Sequence, residues 1–153
     1  MLIRFANRED YEEVERIAEQ VQKMHVEWRP DIYTFEKKIF PNEIFEQLID
    51  NKMVIVATDE EKVVGFLMYI VNKIDFDNQV KRTLYKVDAV ALDEEYRGQG
   101  IGHKLFDYLK YIAKENNIDV IELQVNAENK AAKAMYEKYG FTDKSINMEL
   151  KLE

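Results

Sequence analysis

The chain has 153 residues, 46% of them hydrophobic, which suits one folded domain of ordinary size and argues against disorder. It has no Cys, a single Ser (Ser145) and two widely separated His. Disulfides, thiolate zinc sites and Cys nucleophiles are therefore excluded, no serine nucleophile elbow exists, and no metal centre is expected. Thirty acidic against 22 basic residues give a formal charge of -8, which disfavours nucleic acid as a partner and weakly favours a cationic substrate.

Residues 2–6 alternate and read as a short strand, and Asn7 is placed to cap the next helix. Tyr11, Val14, Ile17, Ala18, Val21, Met24, His25 and Trp28 recur at steps of three and four, so a helix is predicted that ends before Pro30. Its other face carries Glu12, Glu13, Glu15 and Glu19 and is expected to be solvated. A second helix starts near Pro41, with Ile44, Phe45, Leu48 and Ile49 as its apolar stripe. Residues 53–58 and 63–71 form a hairpin about Asp59 to Lys62.

Residues 83–92 give another strand, with Tyr85, Val87, Ala89 and Ala91 on one side and Lys86, Asp88, Val90 and Leu92 on the other. Leu105 to Ala113 is helical, residues 118–125 are a strand, and residues 129–139 are a helix stopped by Gly140. Phe141 to Leu152 is expected to supply one or two final strands. The class is mixed α+β, a mostly antiparallel sheet covered by helices in one domain spanning 1–153. No run of about 18 apolar residues exists, so no membrane span is expected. Charges interrupt the first ten residues, so they do not read as a signal peptide, and the expected compartment is the cytoplasm.

The chemistry-bearing stretch is Tyr96-Arg-Gly-Gln-Gly-Ile-Gly-His103, set between a strand and a helix. Glycines there let the backbone approach a ligand closely, and the first helical amides form the positive end of the helix dipole, suited to phosphate. A Walker A loop is ruled out because His103-Lys104-Leu105 comes after Gly102, and the dinucleotide fingerprint lacks its third small residue at His103. Downstream stands Asn129-x-x-Ala132-x-x-x-Tyr136-x-x-x-Gly140-Phe141. Asn129 suits a helix N-cap, and Tyr136 lies almost two turns on, on a similar face.

With both segments in view, the sequence resembles the GNAT superfamily of acetyl-CoA-dependent N-acetyltransferases. Arg97-Gly-Gln-Gly-Ile-Gly102 is similar to that family's R/Q-x-x-G-x-G/A loop, and Asn129–Phe141 to its N-x-x-A-x-x-x-Y-x-x-x-G-F helix. The resemblance implies a twisted sheet of six to seven strands flanked by about four helices and splayed between the fourth and fifth strands. It implies acetyl-CoA as co-substrate, with Arg97, Gly98, Gln99, Gly100, Ile101 and Gly102 holding the pyrophosphate. Val90, Ala91 and Leu92 would then pair with the pantetheine arm, and Asn129 and Ala132 would lie against it. Tyr136 would protonate the departing thiolate. Many members carry Val and Pro near positions 92 and 94, where this chain has Leu92 and Glu94.

An alkyl ammonium must lose a proton before it attacks, and without Cys direct transfer in a ternary complex is favoured. Asp88, a lone carboxylate in an apolar strand, is the candidate base if burial raises its pKa, with Glu122 the second choice. In this fold the acceptor meets the first two helices and their connection. That segment holds His25, Trp28, Tyr33 and Phe35 beside Glu27 and Asp31, either as a clasp for a cation or as a cap on the core. Tyr69, Asp75 and Asp77 are further acceptor-side candidates, and His103 is expected to face solvent. The expected partner is a small-molecule amine or a peptide amine, and because many relatives are dimers, a homodimer is an expectation too. The alternative reading is a non-catalytic acyl-CoA-binding module of the same fold.

Overall fold

The computed structural model describes residues 1–35 and 38–152. Five strands form one sheet, in the order β1 (Leu2–Phe5), β2 (Val54–Asp59), β3 (Lys62–Ile74), β4 (Arg82–Leu92) and β5 (Val120–Leu123). The first four are antiparallel, and β5 joins β4 in parallel over Leu84–Val87. Four α-helices accompany them among the described residues: α1 (Tyr11–Trp28), α2 (Asn42–Asp50), α3 (Ile101–Glu115) and α4 (Lys130–Tyr139). The expected class and helices are present. The expected six to seven strands are not: among the described residues, 141–152 form no strand and join no sheet.

The two faces of the sheet carry separate cores. Val14, Ile17 and Ala18 of α1 and Phe45 of α2 pack with Val54, Val56, Phe66, Met68 and Ala91 on one face. On the other, Ile101, Leu105, Phe106 and Leu109 of α3 pack with Ile55, Leu67, Tyr69, Tyr85 and Val87, joined by Met135 and Tyr136 of α4. Asn7 caps the chain ahead of α1 in a capping box with Asp10, whose buried carboxylate Arg4 grips from two nitrogens at 2.8 and 3.0 Å. Glu15 departs from the expected solvated face. It is buried, and its carboxylate accepts the N–H groups of Ile39 and Phe40, tying α1 to the chain ahead of α2. The connection brings unpaired main-chain donors against α1, and a carboxylate at that position satisfies them.

Strand β4 also departs from its sequence pattern. Met68 and Tyr69 of β3 stand opposite Ala89 and Val87, leaving Asp88 as the extra residue of a bulge. The bulge exchanges the faces beyond it. Tyr85 and Val87 lie on the α3 side, but so do Val90 and Leu92, while Ala89 and Ala91 turn to the α1 side. The simple alternation that grouped Asp88 with Val90 and Leu92 is thereby corrected. Pairing of β4 with β5 ends at Val87–Leu123, immediately before the bulge, so the two strands part there.

Candidate active site

The loop from β4 to α3 is built to leave its amides free. Asp93, buried at 2% exposure, accepts a hydrogen bond from Glu95 N–H at 3.2 Å and pairs with Arg16 at 2.9 Å. Burial alone would raise its pKa, but these donors hold it below the ordinary carboxylate range, so it remains an anion that pins the strand end. Gly98 and Gly100 have φ of 77° and 80°, the left-handed region that glycine enters without penalty. Gly100 is the N-cap of α3. Among the described residues, no main-chain N–H from Gly98 to His103 donates to a protein acceptor. A Cβ built at Gly98 or Gly100 would meet nothing within 4 Å, so the loop surface is open at both glycines. A row of unpaired amides at the start of a 15-residue helix suits an anion such as a diphosphate.

The open edge of β4 runs into this loop. Asp93 N–H donates to Val64 O, which pairs the main-chain groups of Ala91 with Phe66 of β3 and turns those of Val90 and Leu92 toward the gap left by β5. Of the three residues expected to meet an extended ligand here, Val90 and Leu92 therefore present their main chain and Ala91 does not. Arg97 bends back over the rim, its Nε donating to Leu92 O at 3.3 Å. Ile101 is buried, so its contribution is its N–H alone.

Helix α4 closes the other side. Asn129 caps it by accepting Ala132 N–H at 3.2 Å, as its sequence position suggests. Ala132 N–H is used within the protein, whereas the Asn129 side-chain NH₂ has no partner among the described residues. The Tyr136 ring packs edge-on against Phe106 and Phe141 at 5.8 and 5.9 Å, and its hydroxyl makes no hydrogen bond within the described residues. Burial raises its pKa, so the phenol keeps its proton at neutral pH and is available as a donor.

The family model described as Acetyltransferase (GNAT) family matches residues 17–141. The chain belongs to this family. It is 31% identical over 118 residues to an uncharacterized N-acetyltransferase of Methanocaldococcus jannaschii, covering 76% of this chain and 51% of that protein. The chain thus spans about half the length of that relative. It is 26% identical to the [ribosomal protein bS18]-alanine N-acetyltransferase of Escherichia coli K12, over 80% of this chain and 74% of that one. Among solved structures, a mutant BH1408 protein of Bacillus halodurans superposes with a TM-score of 0.96 at 31% identity, over the whole of both chains. Membership in the GNAT family makes the chain a transferase enzyme.

The remaining GNAT site candidates fall into two groups. Helix α1 carries the first toward the glycine loop: Gln20 Oε1 accepts Glu94 N–H at 3.0 Å, and Met24 Sδ lies 3.7 Å from Arg97 Nη1. One residue beyond Met24, His25 stacks with Tyr33 at 4.9 Å and lies 5.7 Å from Trp28, all three half-buried. Arg29 and Asp31, doubly hydrogen-bonded at 2.8 and 2.9 Å, stand beside this cluster. Burial lowers the His25 pKa, so its imidazole is neutral near pH 7.

The second group lies away from this α1 cluster. Tyr69 is buried in the α3-side core, its ring 4.7 Å from Tyr85 and its hydroxyl donating to Lys52 O, so it is a core residue. Asp88 is exposed at the bulge, and the burial that would have made it a stronger base is absent. Glu122 is paired with Lys144. Asp75 and Asp77 are exposed, with Asp75 beside Lys81. His103 is half-buried, with its ring edge-on to Tyr139 at 5.2 Å.

Proposed function

We propose that the protein transfers an acetyl group from acetyl-CoA to the primary amine of a small cationic metabolite, by direct attack in a ternary complex. The observation that carries this reading is the row of unpaired amides from Gly98 to His103, opening onto the gap where β4 leaves β5. The residues fit the coenzyme: a glycine cradle with free space for the pyrophosphate, and an unpaired strand edge for the pantetheine arm. Bound acetyl-CoA supplies an acyl group activated as a thioester.

The chain's own groups do the rest. A main-chain N–H of Val90 or Leu92, aimed into the gap, stabilises negative charge as it develops on the acyl oxygen. Tyr136 holds its proton until the coenzyme thiolate leaves, then donates it. The exposed carboxylate of Asp88, beside the opening, takes the ammonium proton through water. The half-buried cluster of His25, Trp28 and Tyr33 receives the acceptor, aromatic faces being suited to an alkylammonium.

The test is an amine panel read by release of free thiol. Polyamines and amino sugars are expected to react faster than peptides with free N-termini. The Tyr136→Phe variant should lose roughly a hundredfold or more in kcat while binding coenzyme as before. Thiol release that stays at the solvent rate with every amine would favour a non-catalytic acyl-CoA-binding module. An unchanged kcat would remove Tyr136 as the acid.

A further inference from the structure

Helix α1 meets the glycine loop along one stripe. Arg16, Gln20 and Met24 are spaced by four, so they share a face of the helix. They reach the loop in chain order. Arg16 Nη2 lies 2.9 Å from Asp93 Oδ2, Gln20 Oε1 accepts Glu94 N–H at 3.0 Å, and Met24 Sδ lies 3.7 Å from Arg97 Nη1. The first contact joins two side chains, and the third is a weak one between the ends of two long side chains. Among the described residues, the Gln20 contact is the one hydrogen bond from α1 to the main chain of this loop.

That bond completes a foundation. Glu94–Tyr96 forms a single 3₁₀ turn, too short to satisfy its own N–H groups. Each is taken up by a neighbour: Glu94 N–H by Gln20, Glu95 N–H by Asp93 Oδ1 at 3.2 Å, and Tyr96 N–H by Asp93 O at 2.8 Å. From Gly98 the amides are unpaired. The turn is thus a fixed stretch of chain just ahead of the free amides, and Gln20, 74 residues away in sequence, ties its main chain to the helix.

The residue type suits this role. A main-chain N–H can only donate, so the atom facing it must be an acceptor oxygen. A Glu would supply one, but with a further negative charge beside Asp93, Glu94 and Glu95, on a loop suited to an anion. Glutamine supplies the acceptor without the charge and is a good helix former. We infer, on the coenzyme reading above, that Gln20 is a positioning residue: by holding the Glu94–Tyr96 turn on α1, it keeps the amides of Gly98 to His103 aimed at the diphosphate. It acts through the loop rather than on the coenzyme. Without its bond the loop takes up other poses, and the apparent affinity falls with the fraction that stays aimed.

The test uses the full chain, CoA in calorimetric titration, and acetyl-CoA with the most reactive amine of the panel. Gln20→Met keeps the length and helix propensity of the side chain and removes the acceptor. It should weaken CoA by about two- to tenfold, the weight of one net hydrogen bond, and raise KM for acetyl-CoA by a similar factor. kcat should fall by less than that, and Tm should hardly move, because Gln20 is only half-buried and a loop can open without global unfolding. Gln20→Glu restores the acceptor. Read at about 0.5 M salt, where its added charge is screened, it should bind CoA as wild type does. A Gln20→Met variant that binds CoA as tightly as wild type would overturn the inference and leave the coenzyme reading intact. So would a Glu variant no better than the Met variant, or a loss in the Met variant confined to Tm. A wild-type chain that does not bind CoA would end the coenzyme reading itself, and the role of Gln20 with it.

Discussion

Alanine at the three glycines of the coenzyme loop separates backbone conformation from space. Gly98 and Gly100 sit at φ of 77° and 80°, and a Cβ at either meets no atom within 4 Å. Alanine there produces no clash, and what remains is the cost of holding an L-residue in the left-handed region, about 1–2 kcal/mol each. Where the loop keeps its shape, that cost appears as lost stability, about 2–4 °C in Tm per kcal/mol for a chain of this size. Where the loop relaxes, the amides lose their aim and coenzyme affinity falls, tenfold for about every 1.4 kcal/mol. Gly102 is the internal control. It is helical, and its Cβ would lie 3.0 Å from Cε of Met135, the flexible end of a side chain. Alanine there should be nearly neutral or gain up to about 1 kcal/mol of helix propensity. Calorimetric titration of CoA into each variant, with thermal unfolding in its absence, reads both quantities. Alanine at Gly98 and Gly100 that leaves Tm and affinity both unchanged would refute the left-handed loop and the phosphate cradle built on it.

Two further outcomes are expected. The β2–β3 hairpin turns on Glu60 and Glu61 at φ of 48° and 74°, so Glu60→Asn with Glu61→Gly should stabilise the chain by about 1 kcal/mol or more, seen as a higher urea midpoint at constant m. Burial lowers the His25 pKa, so below its ordinary value of about 6.5 the unfolded chain binds the proton more readily than the folded one. Stability should therefore fall as pH drops from about 7 toward 5, and His25→Gln should flatten that slope; an identical slope in the variant would show that other groups set it.

The parts of the site legible in the sequence are those where one residue type has one physical use. Glycines at a strand–helix junction, Asn129 as an N-cap and Gly140 as a helix stop all appear where the sequence places them. The misreadings come from features that sequence period does not register. A single bulge residue, Asp88, exchanged the faces of Val90 and Leu92 with those of Ala89 and Ala91. Glu15 lies four residues after buried Tyr11 and three before buried Ala18, so it edges the apolar stripe, and that spacing was the one signal of its burial. Tyr69 has the alternation of the core strand around it, and its hydroxyl found a carbonyl at Lys52. The apolar alternation of residues 146–152 was readable as a strand, but among the described residues no strand pairs with it.

Gly65 shows how sheet packing reaches the coenzyme gap. It stands opposite Leu92, and a Cβ there would lie 2.7 Å from Leu92 Cδ2, 3.3 Å from Ala91 O and 3.5 Å from Ile101 Cγ2. These three residues are the end of β4 and the first residue of α3, the two elements that present amides to the coenzyme. Gly65→Ala forces the Leu92 side chain to move, with a cost of about 1–3 kcal/mol for overpacking. The displacement falls on Leu92, whose main chain faces the gap, so affinity for CoA should drop together with stability. Leu92→Val removes the atom in closest conflict, and the double variant Gly65→Ala, Leu92→Val should recover most of both, giving a favourable coupling in a double-mutant cycle. Additive losses would mean that the strain lies against Ala91 O instead, and that the gap is shaped by backbone contact rather than by the Leu92 side chain.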